Sequence, residues 1–573
     1  FELLIPNKRN HMFKGHPKGL FVAFFANMGE RFGFYTMFAI FVYFLQAKYG
    51  FSSTRASEIY SGFMVFVYFL PLVGGIIADK LLGYGKTISI GLIVMFIGYF
   101  LLAMPSSMGT GQAAVFTALA IIALGTGLFK GNLQALVGNL YDDPKYSSKR
   151  DIAFNIFYMG INIGAMFAPT AAEKVSNWVL HKSSFFYDAR IPALANSFLR
   201  GHEIDVSNYL SIAHAQDPST TLDTLRLFSE NYINALSKSY HYGFGVACVS
   251  LIVSMLIFWG FRKYYKHADF SEKQKAARID MKDQVIKLTK QQTKERLIAL
   301  GLVFFVVIFF WMSFHQNGLT LSYFARDYTQ HTVGKGMNLW FDLFGLLPIF
   351  LSVIGLYFLI RKKSITRDRI LGAVAFVGFA VLAYLRYHGY QNVNPFTPQK
   401  FQHFNPFFIV ALTPIVVGIF GYMNRKGIEP PAPKKIGIGM LITAVGFLIM
   451  VFGSLSLIGY SPKELAGLVA PADHLVSPYW LITTYFTLTV AELFLSPMGI
   501  SFVSKVAPPQ YKGLMQGGWF AATALGNYLL SVIGSLWSRI PLWSLWLILV
   551  ICCVLSALFI FSVMKRLLRA TQS

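Results

Sequence analysis

The chain has 573 residues, of which 55% are apolar, 16% aromatic and only 13% charged. A soluble chain of this length is about a quarter charged, so the composition excludes a protein surrounded by water and points to an integral membrane protein. The formal net charge of +24 would in a soluble protein suggest nucleic acid, but the basic residues sit in short connectors between apolar blocks, where the positive-inside rule puts them; no nucleic-acid partner is expected.

The apolar blocks are long enough for helices to cross about 30 Å of hydrocarbon, and Ile88–Met104 and Trp543–Met564 contain no charge at all. In chain order, fourteen blocks are predicted at approximately 18–46, 55–79, 85–104, 113–138, 152–176, 241–262, 296–325, 339–360, 369–388, 404–423, 435–459, 478–504, 514–536 and 542–565. A basic stretch from Lys8 to Lys18 precedes the first, and no secretory signal is expected there. With the first residues inside, the connectors Lys80–Lys86, Lys145–Asp151, Arg262–Arg296, Arg361–Arg369, Arg425–Lys435 and Lys505–Lys512 and the tail Lys565–Arg569 all fall inside, and all are rich in basic residues. The outer connectors 47–54, 105–112 and 460–477 carry few. An even number of spans with both termini cytoplasmic is therefore expected, in a plasma membrane such as the bacterial inner membrane.

Two connectors are long. Residues 177–240 fall outside and mix apolar and polar residues, as short amphipathic helices would. Residues 263–295 fall inside and read as a basic helical linker between an amino-terminal part, 1–262, and a carboxyl-terminal part, 296–573. That leaves six predicted helices before the linker and eight after it. If the pair at 339–388 is an inserted hairpin, the remainder is six plus six, the all-α pattern of two-bundle transporters with a central site. Cys248, Cys552 and Cys553 lie in apolar blocks without metal or disulfide spacing and read as packing residues.

Charge within a bilayer costs about 2.5 kcal/mol or more per residue, so the buried charges call for a cause. They are Glu30 and Arg31 in NMGERFGFY, Lys130 in GTGLFKGN and Glu492 in TVAELFLSP; His315 and Gln316 interrupt the seventh block in FFWMSFHQNGLTLSYFA. Ion pairs that merely hold helices together would be the plain reading. The first half, however, has two cations against one anion, and Glu492 has no cation on its own helices. A zwitterion would satisfy both, its carboxylate toward Arg31 and Lys130 and its ammonium toward Glu492. An extended di- or tripeptide spans about 7–11 Å, which suits a central cavity better than a free amino acid does.

The segments GERFGFY, GGIIADKLLGYGKTI, FKGN, FYMGINIGA, the FFW…Q block, FNPFFIVALTP, AELFLSPMGIS and GWFAATALGN follow one another in order. Together they resemble the proton-dependent oligopeptide transporter family of the major facilitator superfamily. The resemblance implies that Arg31, Tyr35, Tyr68, Lys130 and Asn162 line the amino-terminal side of a peptide site. It places Asn405, Glu492 and Ser496 on the carboxyl-terminal side, with Glu492 facing the peptide's amino group. Trp311 and Trp519 match aromatic positions beside side-chain pockets; ordinary helix packing is the plain alternative for each aromatic.

Three positions depart from the family pattern. Asn27 stands where the first helix has its leading acidic residue, His315 where the seventh has a carboxylate before the glutamine, and Ser61 follows Tyr60 where mammalian members have a histidine. An imidazole, with an ordinary pKa of about 6.5, suits proton loading from a mildly acid exterior. Glu30, placed between Arg31 and Lys130, and His315 are therefore the expected proton carriers, with protons as the coupling ion and no other cofactor. The expected activity is proton-coupled import of di- and tripeptides by a monomer in a lipid bilayer. A relative moving another solute and a peptide receptor that no longer transports are the alternatives. GYGKT (Gly83–Thr87) lacks the earlier glycine of a phosphate-binding loop, since Lys80 stands there, and nothing points to an enzyme.

Overall fold

The computed structural model describes residues 15–107, 111–269, 289–361, 364, 366–462, 470–508 and 512–572. Its long helices are α1 (Lys18–Tyr49), α2 (Ser53–Ile77), α3 (Tyr84–Ala103), α4 (Gln112–Asn139), α5 (Arg150–His181), α6 (Leu225–Gly260), α7 (Lys290–Phe314), α8 (Leu343–Ile360), α9 (Thr366–Gly389), α10 (Phe404–Arg425), α11 (Ala432–Gly453), α12 (Tyr479–Val506), α13 (Lys512–Leu536) and α14 (Leu542–Ser562). Twelve helical stretches among the described residues are long and apolar enough to cross a membrane. With α1 and α12, which carry Glu30, Arg31 and Glu492 inside them, the long helices number the fourteen that the sequence predicts. Helices suit this setting because each satisfies its own backbone where no water can. Their ends are marked locally: Ser52 caps α2 by accepting from the Arg55 amide, and Thr289 and Gln292 form a reciprocal capping box at the start of α7.

Helices α1–α6 pack together as one bundle, and α7 with α10–α14 as a second; α2 against α13 and α5 against α10 join the two. The α8–α9 pair packs mainly on itself, and Gly372 is the one buried residue of α9 among those described. A short antiparallel ladder, Thr332–Val333 with Asn394–Pro395, pins the two ends of this insert together.

Two boundaries differ from the sequence reading. The sixth helix begins at Leu225, sixteen residues before the predicted 241. Phe228, Tyr232, Ile233, Leu236 and Tyr240 are buried at helical spacing, so an amphipathic extension continues the span past the length a bilayer requires. It packs against the short helices Ile191–Leu199 and Val206–Gln216, so the 177–240 connector is a helical cap. The seventh helix does not run unbroken to 325: His315–Gly318 forms a tight 3₁₀ turn before Thr320–Asp327 resumes. Most of the predicted basic linker, 270–288, lies outside the described residues.

Fourteen consecutive long helices bring the start of α1 and the end of α14 to the same end of the bundles. At the opposite end, here the far end, polar contacts join the bundles. Tyr43 donates to the Ser322 carbonyl at 3.1 Å, Arg326 Nη1 to Gln46 Oε1 at 2.5 Å, and Lys400 Nζ lies 3.2 Å from Glu173 Oε1. The hydroxyls of Ser57 and Tyr323 are 3.3 Å apart. This end is closed.

Candidate functional site

The buried charges sit in the central parts of their helices. On α1, Glu30 is fully buried and Arg31 is 4% exposed. Successive residues on a helix do not normally face each other, but these two side chains are long enough to curl together. Arg31 Nε and Nη2 donate to the two oxygens of Glu30 at 2.5 Å each, a two-pronged, charge-assisted pair. The guanidinium also lies 4.6 Å from the centre of the Phe34 ring. Tyr35, one turn beyond Arg31, stands edge-on to Phe34 and Phe38.

The sequence reading put Glu30 between Arg31 and Lys130; the structure pairs it with Arg31 alone. The fork of the guanidinium occupies both carboxylate oxygens, and among the described residues Lys130 has no carboxylate within ion-pair distance. Its ammonium lies 4.0 Å from the centre of the Tyr68 ring instead. Tyr68 in turn is 5.6 Å, centre to centre, from the His315 ring across the bundle interface. Trp311 stacks on His315 at 4.7 Å from one turn earlier, and His315 Nδ1 lies 2.5 Å from Asn527 Oδ1 on α13. With the amide oxygen as acceptor, Nδ1 carries the imidazole proton. The series Lys130, Tyr68, His315 and Asn527 thus runs from α4 through α2 to α7 and α13.

Glu492 is 7% exposed on α12. Asn405 donates to its Oε2 at 3.0 Å and Tyr158 of the other bundle to its Oε1 at 3.4 Å. Asn405 also bonds Thr489 at 3.1 Å, one turn before Glu492. Asn162 donates back to the Tyr158 carbonyl at 3.1 Å and so belongs to the same patch of α5. One turn beyond Glu492, the Ser496 hydroxyl has no hydrogen-bond partner. Trp519 is buried against Gly499, where any added Cβ would collide with the indole, so the small residue is what lets α12 and α13 meet there.

The predicted residues therefore fall into three groups: Glu30 with Arg31; Lys130 with Tyr68, His315 and Trp311; and Glu492 with Asn405, with Asn162 beside it. Tyr35, Ser496 and Trp519 lie next to these in sequence or packing, without a polar bond to them. Three partners escaped the sequence reading. Tyr158 stands four residues before Asn162 in FYMGINIGA, on the same helical face. Asn527 ends GWFAATALGN, and a buried histidine needs a partner of that kind. Thr489 carries no motif signal.

Several buried polar atoms nearby have no partner: Asn27 Nδ2, Tyr60 Oη, Ser61 Oγ, Trp311 Nε1, Ser496 Oγ and Asn527 Nδ2. Buried groups are normally satisfied, so this concentration fits a surface built to meet a polar solute or ordered water. No cluster of metal-ligating side chains occurs among the described residues.

The family model described as PTR2, POT family, matches residues 85–277 and 391–544. The "Di-/tripeptide transporter" of Lactococcus lactis subsp. cremoris is 26% identical over 549 residues, spanning 90% of this chain and 88% of that protein. The "Uncharacterized transporter YclF" of Bacillus subtilis (strain 168) is 26% identical over 547 residues, spanning 94% and 92%. A crystal structure of a POT peptide transporter in complex with alafosfalin shares the fold, with a TM-score of 0.66 at 22% identity over 98% of this chain and 97% of that one. The family match covers more than half of the chain, and the chain belongs to the POT family of membrane transporters.

Proposed function

We propose that the protein imports di- and tripeptides together with protons by alternating access. One observation carries this reading: among the described residues, the half-buried Lys130 and the buried Glu492 are charges of opposite sign inside the bundles, and neither has an oppositely charged partner. Lys130 rests on an aromatic face and Glu492 on neutral donors. A free peptide supplies the two missing charges, its carboxylate toward Lys130 and Arg31 and its ammonium toward Glu492. Asn162, Tyr35, Tyr68, Asn405, Ser496, Trp311 and Trp519 shape the space between them. Recognition through the charged ends leaves side-chain choice broad.

Coupling runs through Glu30, and His315 shares in it. Protonating Glu30 removes the charge that holds the Arg31 fork and frees the guanidinium for the peptide carboxylate. His315 sits where Lys130, Tyr68 and Asn527 converge, so its charge is felt by the same carboxylate site. The basic connectors orient the end bearing the termini toward the cytoplasm. The far end, closed here, then faces outside, in a bacterial inner membrane. Each chain holds both halves of the site, so a monomer suffices.

The test is uptake of labelled dialanine into proteoliposomes with and without an inward proton gradient. Accumulation driven by the gradient, competed by dialanine but not by alanine, is expected. Binding without accumulation would instead make the protein a receptor.

A further inference from the structure

A cavity of 870 Å³ opens at the far end between the helical cap and the seal. That volume falls within the roughly 300–1,000 Å³ of small-molecule sites. Its lining includes Gln46, Arg190, Arg200, Arg326, Asp327 and Trp537, drawn from both bundles and from the 177–240 segment.

The three guanidinium groups are not equivalent. Arg190 is held by Asp188 at 2.7 Å and Arg326 by Asp327 at 2.6 Å. Arg200 has no carboxylate partner among the described residues; its Nη2 donates to the Tyr49 carbonyl at 2.5 Å. A guanidinium has five N–H donors in a fork that matches a carboxylate, so most of those of Arg200 remain for a ligand. The position is built. Gly50 ends α1 in the left-handed region at φ 56°, and a Cβ there would fall 2.5 Å from Arg200 Nη2 and 2.6 Å from Asn196 Oδ1. Only a glycine lets the guanidinium lodge over the end of α1. The same cavity is lined by the Gln46–Arg326 contact that helps close the bundles.

We infer that this cavity is a docking site for the carboxylate end of a small solute, with Arg200 as its anchor. Resting on the function proposed above, that solute is the peptide, held at the far end before the bundles part. Arg200 does not belong to the central charge groups, so the two sites are separable by substitution.

The ligand for the direct test is N-acetylalanine, which has a carboxylate and no free amino end. Its binding is measured by calorimetry on purified Lys130→Ala protein, in which the unpaired central cation is removed and Arg31 stays held by Glu30. Binding is expected to persist there, to fall at least tenfold when Arg200→Gln is added, and to stay within about threefold when Arg200→Lys is added instead. Binding that is unchanged by Arg200→Gln, or absent from Lys130→Ala protein with a normal melting curve, overturns the site. In otherwise wild-type proteoliposomes, Arg200→Gln should raise the KM for dialanine about fivefold with the maximal rate unchanged; an unchanged KM also counts against the site. Failure of the wild-type protein to take up dialanine, with Arg200-dependent binding intact, would refute peptide transport and leave the docking site standing.

Discussion

Lys130 holds its ammonium 4.0 Å from the centre of the Tyr68 ring, while Glu30, the nearest carboxylate in the sequence reading, is occupied by Arg31. An aromatic face keeps a cation in place without neutralising it. A carboxylate can then be bound without first breaking an ion pair. A contact of this kind is worth about 0.5–2 kcal/mol. Tyr68→Phe, which keeps the ring, should leave dialanine affinity within about twofold, whereas Tyr68→Ala should weaken it about two- to thirtyfold, read by competition against labelled dipeptide.

Glu492 meets only neutral donors, so Glu492→Gln should fold normally while losing its charge. Hydrogen bonds to charged groups contribute about 1.5–3 kcal/mol, which corresponds to a loss of roughly ten- to hundredfold in affinity for a free dipeptide. N-acetylated dipeptide, lacking the ammonium, should bind both proteins alike. Equal losses for the two ligands would remove Glu492 from recognition of the amino end.

Glu30→Gln should abolish gradient-driven accumulation while peptide exchange continues in counterflow, because the amide still accepts from Arg31 but carries no proton in transit. Full acid-driven uptake by this variant would take Glu30 out of the coupling. His315→Gln is expected to move the pH at which uptake is half-maximal; an unshifted profile would confine His315 to packing.

The Lys400–Glu173 pair joins α5 to the turn before α10, its side chains 15% and 8% exposed. Removing one partner of a buried pair strands the other charge, at a cost of about 3–5 kcal/mol. Glu173→Gln or Lys400→Gln alone should therefore loosen the far-end seal and slow uptake more than the double variant does. A double variant worse than either single one would show that the pair does not act as a unit.

Outside the spans, burial pushes the Asp188 carboxyl up, but the hydrogen bonds and charge of Arg190 outweigh it and hold the group below its ordinary 3.8. A depressed carboxyl stabilises the fold above its ordinary value, and that contribution is lost as the pH falls through the depressed one. Asp188→Asn should thus lower the melting temperature by about 1–2 °C at pH 7, since a partly exposed pair contributes about 0.5–1 kcal/mol. The difference should fade as the pH falls below 3.8. A gap that persists in acid would assign the effect to packing.

The spans and the buried charges were legible in the sequence because a bilayer imposes length and penalises charge at every residue. Pairing was less so. Whether Arg31 turns toward its neighbour Glu30 or away, and whether Lys130 finds a carboxylate or the Tyr68 ring, depends on rotamers that no spacing encodes. The Asn527 partner of His315 lies 212 residues away, and only the packing of α7 on α13 brings them together. The early start of α6 was visible as helical spacing of Phe228, Tyr232 and Leu236, but membrane thickness alone does not predict an extension into water.

The 3₁₀ turn at His315–Gly318 divides the seventh helix into a long shaft and a short tip, Thr320–Asp327. The tip carries Ser322, Tyr323 and Arg326, all of which touch the opposite bundle. Rotation is least costly where the α-helical ladder is already interrupted, so the tip can pivot while the shaft stays packed. His315 stands at the fulcrum. Under the coupling proposed above, a change in its charge acts at this pivot and is felt at the latch.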